Sequence, residues 1–453
     1  MALKRFFILA TLLLLVVGVR ALADAVGLVT SLEQLEVASP LALGVVLLAA
    51  HLAGAVASDL GLPRVTGYII GGLIVGPSAL HIVSDADVAQ LSFVDDVAIA
   101  LIAFSAGAEL RLPEVRAQGR AIAGILVFGS LVGFIAIAGL IFAFSSFFPI
   151  TQGRSSLDVL VIAAVFGSIA IANSPSVAVA VINDTRSKGP VSSTILGVTV
   201  LKDVVVILLF AVMLAVAQAA LQGGDDGSGL VPKLSWEIGG SIGLGLLVGW
   251  LVTQWMRRFS GQPILFVLGM AVALAGVSEM LHTEVLLMAL AAGFFVENVS
   301  HVEAEPFIHA VEANSVPFYA LFFALAGAGI HLDALTEVWY LVLILVAVRA
   351  AAFWFGTRLG ARVGRAPDTV QKYAWTGFIS QAGVTLGMVT IAAEAFPAWG
   401  EEMKLLIVAM VAVHELVGPV ILQKGLEASG ETQQAVWPED AEDRKAKAAT
   451  AAA

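Results

Sequence analysis

TILGVTVLKDVVVILLF, residues 194–210, is an apolar run with Lys202 and Asp203 side by side near its centre. A charge at the middle of a membrane span costs about 2.5–3.5 kcal/mol on insertion scales. Two adjacent charges leave two readings: the run is no span, or the charges belong to a site. The rest of the chain favours a span. Of 453 residues, 59% are hydrophobic and 13% charged, against about 25% charged in a typical soluble domain. Apolar stretches of spanning length recur from one end to the other.

Backbone groups in lipid must be satisfied within the spanning structure, which leaves a helical bundle or a closed barrel. Barrel strands are about ten residues long and alternate in polarity, whereas these runs are about twenty residues and uniformly apolar. The expectation is an all-α polytopic membrane protein. Thirteen helices are expected, at about 41–60, 63–82, 93–110, 121–147, 157–182, 191–221, 236–256, 263–281, 284–298, 315–331, 336–357, 373–396 and 403–423. Short polar loops join them, so 41–425 reads as one transmembrane domain.

The first 23 residues have a basic start (Lys4, Arg5), about fourteen apolar residues and an Ala21-Leu22-Ala23 pattern. They read as a cleaved signal peptide or as an uncleaved extra helix. The stretch 426–453 is polar and Ala-rich and reads as a disordered tail. There is no basic stripe with interleaved aromatics, so nucleic acid is not an expected partner. With no cysteine there is no disulfide, thiolate metal site or cysteine nucleophile. No cofactor and no enzymatic activity are expected; an intramembrane aspartyl protease would need a second mid-span aspartate to share a proton.

Loop charges give an orientation. If the loop after the first span is inside, twelve loop and helix-end Arg and Lys residues, Arg64 and Arg186 among them, fall inside. Only Arg154, Lys233 and Lys404 fall outside. This puts the mature N-terminus outside and the C-terminus in the cytoplasm, with the chain multi-pass in the cell inner membrane.

Thirteen spans divide into six, a linker and six, and an odd linker makes the halves inverted repeats, as in many secondary transporters. The fifth span of each half is interrupted. IANSPSVAVAV (171–181) carries Asn173, Ser174, Pro175 and Ser176 in mid-span; GFISQAGVTLG (377–387) carries Ser380, Gln381, Gly383 and Thr385. Proline removes a backbone donor and clashes with the preceding turn; glycine loosens the second segment. Matched interruptions point to a binding site near the midplane, whereas ordinary kinking is the plain alternative. In the sixth span Ser192, Thr199 and Asp203 share one face, at i, i+7 and i+11, and Lys202 points about 100° away. Each charge therefore needs its own partner or water. Arg349, in LVLILVAVRAAAFWF (341–355), is a third deep charge, and a network locking the sixth and eleventh spans is the structural alternative to a functional site. His414 and Glu415 could face the second interruption; beside a cavity, packing is the role expected of them.

Together, LGLPRVTGYIIGGLIVGPSAL (60–80), NSPSVAVAV (173–181), VLKDVVVI (200–207) and PFYALFFALAGAGIHLDAL (317–335), leading to Arg349 and SQAGVTLG (380–387), resemble the monovalent cation:proton antiporters. The likeness is to the CPA2-like branch with potassium-efflux-type sodium/potassium:proton exchangers. It implies a homodimer whose ion-transport core moves against a static dimerisation domain. It also implies that Asp203 binds cation and proton in turn and that Arg349 stabilises the core. Lys202 departs from the pattern, since relatives commonly carry Asp, Asn or Gln there. A lysine would either act as a tethered cation that leaves when the substrate or proton arrives, or block cation binding. The segment after 426 is too short for the nucleotide-binding domain of many potassium-efflux relatives, so gating by that route is not expected.

The expected function is exchange of Na+ or K+ for protons by alternating access, electroneutral with a single carboxylate. Thr199 and the residues of both interruptions assist Asp203, which is the metal-ion ligand. Burial disfavours the ionised carboxylate and nearby cations favour it. Two alternatives stay open: a proton-coupled anion transporter using Lys202 and Arg349, and a non-transporting sensor subunit on the same scaffold.

Overall fold

Apolar runs leave their peptide groups no partner in lipid but one another. Accordingly, the only regular elements among the described residues of the computed structural model are helices and short 3-10 turns. The structure describes residues 38–110, 112–221, 230–258, 263–300, 305–330, 332–381 and 384–433; the segment 1–23, Gly383 and the tail from 434 lie outside them. The first half comprises α1 (Ala38–Asp59), α2 (Arg64–Val75), α3 (Asp85–Gln90), α4 (Ser92–Glu109), α5 (Leu112–Ala143), α6 (Ser156–Ala170), α7 (Pro175–Asp184) and α8 (Pro190–Leu221). After α9 (Leu230–Arg258) come α10 (Pro263–Leu281), α11 (Val285–Asn298), α12 (Glu305–Ala328), α13 (Leu332–Val363), α14 (Asp368–Tyr373), α15 (Val384–Ala395) and α16 (Gly400–Ser429).

Each expected span contains at least one of these helices, and the fifth and twelfth are each divided in two. By length and composition, seven helices among the described residues suffice to cross a membrane, and five shorter apolar helices accompany them. The last helix runs beyond its expected end near 423, because nothing breaks it before Gly430. There a left-handed residue (φ 79°) turns its N–H back to the carbonyls of Leu426 and Glu427. Residues 426–429, read as the start of a tail, are thus helical, and Glu431 is buried.

Two packed groups emerge. One joins α1, α2, α4 and α9–α12; the other joins α5–α8 and α13–α16. In the second, α5 and α13 lie backbone to backbone where Gly124 and Gly360 face each other, and a Cβ on either would overlap the other chain segment. Small residues at such contacts replace the missing hydrophobic drive in lipid. Large apolar side chains such as Leu131, Ile135, Leu208, Val212, Leu247 and Leu343 point outward, as a lipid-facing surface requires.

Candidate functional site

The first interruption is built by Ser174 and Pro175. Helix α6 stops at Ala170, residues 171–174 leave the helix, and α7 restarts with Pro175 in its first turn. Proline fits there, since the first-turn N–H has no helical partner anyway. The Ser174 hydroxyl accepts from the Val177 N–H at 3.2 Å and caps the new helix. In the second, a 3-10 turn over Ala374–Phe378 follows α14, and Ser380 and Gln381 are non-helical before α15 begins. The two interruptions touch: the Ser174 N–H donates to the Ser380 carbonyl at 3.0 Å. Gly418 of α16 packs directly on Ser380.

Arg349 stands where the segments cross. It is fully buried. Its Nε donates to the Ala170 carbonyl at 2.6 Å, its Nη2 to Ala172 at 2.5 Å and its Nη1 to Ile379 at 2.6 Å. Broken helices release carbonyls that have lost their helical partners, and a guanidinium is the side chain with enough fixed donors to collect three. The structural alternative, a network locking the sixth and eleventh spans, is not the one that Arg349 forms. Arg349 ties the two interruptions together and forms no ion pair with Asp203.

Asp203 has the opposite environment. Its side chain is 2% exposed, and neither carboxylate oxygen has a hydrogen-bond partner. Lys202 does not neutralise it. The ammonium lies 3.9 Å from the centre of the Phe353 ring and 5.4 Å from that of Phe378, an aromatic seat for a cation. The two neighbouring side chains form no hydrogen bond with each other. Other buried polar atoms without a partner belong to the same pair of interruptions: both Asn173 side-chain atoms, Gln381 Oε1 and Thr385 Oγ1. Thr199, one turn before Asp203, donates its hydroxyl to the Ile195 carbonyl at 2.5 Å. Ser192, at the far end of the same face, instead binds Glu431.

A cavity of about 320 Å³ opens between the two helix groups. One wall carries Ser174, Pro175 and Ser176, with Ile207, Phe210, Ala211 and Leu214 of α8; the opposite wall carries Asp96, Glu237 and Glu284. Asp203 precedes those four α8 residues by 4, 7, 8 and 11 positions, so it lies on the same stripe of the helix. The second interruption contributes Val384, Gly387 and Met388 of α15. His414 and Glu415 are buried on α16, and neither Glu415 carboxylate oxygen has a hydrogen-bond partner.

Glu284, Glu237 and Glu431 escaped the reading of the sequence. Glu284 stands at the very start of the expected span 284–298, after His282 and Thr283, and looks like an ordinary acid at a helix end. Glu431 falls in the polar tail. A carboxylate directly before an apolar run (Glu284-Val285-Leu286) was the available signal for the first.

Two interrupted segments that meet at Arg349, a buried carboxylate on α8 and a cavity between two helix groups are features of secondary transporters. The chain belongs to the sodium/hydrogen exchanger family, whose transmembrane region matches residues 45–426. It is 25% identical over 359 residues to the Na(+)/H(+)-K(+) antiporter GerN of Bacillus cereus, covering 76% of this chain and 85% of that one. It is 26% identical over 400 residues to the glutathione-regulated potassium-efflux system protein KefC of Salmonella schwarzengrund, covering 84% of this chain and 60% of the relative. In fold it is similar to the sodium proton antiporter MjNhaP1 of Methanocaldococcus jannaschii, with a TM-score of 0.62 at 17% identity. That likeness covers 86% of this chain and 96% of the other.

Proposed function

We propose that this chain exchanges a monovalent cation, Na+ or K+, for protons across the membrane by alternating access, with Asp203 taking the two in turn. The observation that carries the reading is the Asp203 carboxylate, buried and without a partner, on the α8 stripe that lines the cavity. An ionised carboxylate in that position is strongly disfavoured unless a cation or a proton satisfies it. Each therefore displaces the other. The free oxygens of Asn173, Gln381 and Thr385 and the hydroxyls of Ser174, Ser176 and Thr199 supply neutral ligands around the ion. Hard alkali cations take oxygen donors of this kind, by the same logic as other hard cations.

In the cycle, the cation enters through the cavity and displaces the proton from Asp203. The group formed by α5–α8 and α13–α16 then shifts against the group of α1, α2, α4 and α9–α12. The ion leaves on the other side, and a proton neutralises Asp203 for the return. One carboxylate trading one cation for one proton makes the exchange electroneutral. Lys202, seated on Phe353 and Phe378, stays beside the site rather than becoming its occupant. The loop charges favour an inner-membrane protein with its N-terminus outside and its C-terminus cytoplasmic, and the cavity then opens outward. The family likeness favours a homodimer around the static group. An anion-holding role for Arg349 is disfavoured, because its three nitrogens already serve carbonyls.

The test is proton flux in proteoliposomes carrying a pH gradient, with Na+, K+ or Li+ added in turn to wild type and Asp203→Asn. Dissipation by one cation, abolished in Asp203→Asn, is the expected result and names the ion. Well-inserted wild type that responds to no cation would sink the reading.

A further inference from the structure

Glu284 is the residue before α11, and its carboxylate accepts the Leu287 N–H at 2.7 Å. Its own N–H donates to the Ser241 hydroxyl at 2.8 Å, and that hydroxyl in turn donates to the Glu237 carbonyl. These bonds fix the carboxylate on the cavity wall opposite Ser174, Pro175 and Ser176. A cap alone does not account for the residue. Serine, threonine, aspartate and asparagine are the favoured capping types, and Thr283, immediately before it, is buried with its hydroxyl unpaired.

Two observations join here. One is a fixed carboxylate on the wall contributed by the other helix group. The second is independent of it: a carboxylate that is 2% exposed, with both oxygens unpaired, on the α8 stripe that forms the facing wall. A cation entering between the groups is drawn to both, because opposite charges attract far more strongly in such a cleft than in bulk water.

We infer that Glu284 is a second cation-binding carboxylate, contributed by the helix group opposite Asp203, which receives the monovalent cation in the cavity before Asp203 does. The inference rests on the antiport reading and deepens it. Because the two carboxylates belong to different groups, any movement of one group against the other separates them. Glu284 thus favours the cation on the cavity side only, and the ion released on the far side is held by Asp203 alone. The residue sets apparent cation affinity rather than the exchange itself.

Glu284→Gln provides the test, since glutamine keeps an oxygen for the Leu287 N–H and loses only the charge. Flux is measured in proteoliposomes against concentration of the activating cation for wild type, Glu284→Gln, Glu284→Asp and Asp203→Asn. Equilibrium binding of the same cation, Na+ or K+, to the purified full chain runs alongside. Glu284→Gln should raise the half-saturating concentration by about tenfold, the factor corresponding to about 1.4 kcal/mol, with the maximal rate kept within about twofold. Glu284→Asp should fall between, and the binding data should weaken in step. Unchanged half-saturation and binding in Glu284→Gln, with wild type active and Asp203→Asn dead, would overturn the role of Glu284 and leave antiport standing. A lower melting temperature with unchanged affinity would reduce Glu284 to a cap and overturn it as well. A wild type that exchanges nothing would remove both readings.

Discussion

Arg349 and Asp203 are both buried charges in the helix group that carries the two interruptions, and the protein treats them in opposite ways. Arg349 has three carbonyl acceptors at 2.5–2.6 Å, drawn from both interruptions. Asp203 has none. Equal burial therefore does not mean equal role. A charge that commits every one of its nitrogens to backbone behaves as a rivet, because moving it would strand three carbonyls. A charge left without partners favours whatever ligand restores them, which is the condition for exchange. Lys202 stands between these extremes, held by ring faces rather than by hydrogen bonds. The contrast teaches that the satisfaction of a deep charge, more than its depth, separates scaffold from site.

The largest effect should come from Arg349→Leu. Each carbonyl left unpaired costs about 1–3 kcal/mol, so the total loss is on the order of 3–5 kcal/mol or more. Little monodisperse protein is expected on fluorescence-detected size exclusion, and what survives should melt far below wild type. A melting temperature equal to that of wild type would erase the contrast. Asp203→Asn should do the reverse. Flux disappears while the melting temperature holds or rises, since a buried neutral amide is less costly than a buried carboxylate. A fall as large as that of Arg349→Leu would make Asp203 structural too.

Much of this contrast was legible in the sequence, and the part that was not has a physical cause. Asn-Ser-Pro-Ser inside an apolar run announces a break because proline cannot continue a helix, and Asp203 announces itself because charge is rare in a span. The second interruption has no proline, yet its position, fifth in its half, pairs it with the first. The partners of Arg349 were invisible, since carbonyls are carried by every residue and leave no signature. Glu284 was hidden for a related reason: an acid at the first position of a span looks solvated until the fold places it on a cavity wall. The packing of Gly124 on Gly360 was hidden too, because it depends on which helices meet.

Lys202 sharpens the comparison at intermediate strength. A desolvated cation–π contact is worth about 2 kcal/mol. Phe353→Leu should release the ammonium from its seat and let it compete with the substrate at Asp203. The half-saturating cation concentration should then rise by about threefold to tenfold, well within that energy. In a Lys202→Gln background the same substitution should have no such effect, and the double-mutant cycle isolates the interaction. Phe353 also stacks on Arg349, 4.6 Å from ring centre to guanidinium carbon, so melting temperatures must accompany the kinetics. Equal shifts with and without Lys202 would assign the effect to Arg349 and leave the lysine outside the competition.

The smallest effect concerns a carboxylate that, like Arg349, is fully engaged, but at the end of the helix that carries Asp203. Glu431 accepts the N–H groups of Val191 and Ser192 at 2.6 and 2.8 Å and the Ser192 hydroxyl at 2.8 Å. Its own carbonyl accepts the Lys188 N–H at 3.0 Å. The first turn of α8 has N–H groups that no helical carbonyl can serve, and a negative charge there also opposes the positive end of the helix dipole. Glu431→Ala should therefore lower stability by about 1–2 kcal/mol, the range of a lost helix cap. Glu431→Gln, which retains an acceptor, should cost less. Thermal melts of the two variants measure the difference, and cation affinity should stay at the wild-type value because Asp203 lies three turns away along α8. A shift in affinity without a loss of stability would mean that the docked C-terminal segment acts on the site through α8, and Glu431 would then belong with Asp203 rather than with Arg349.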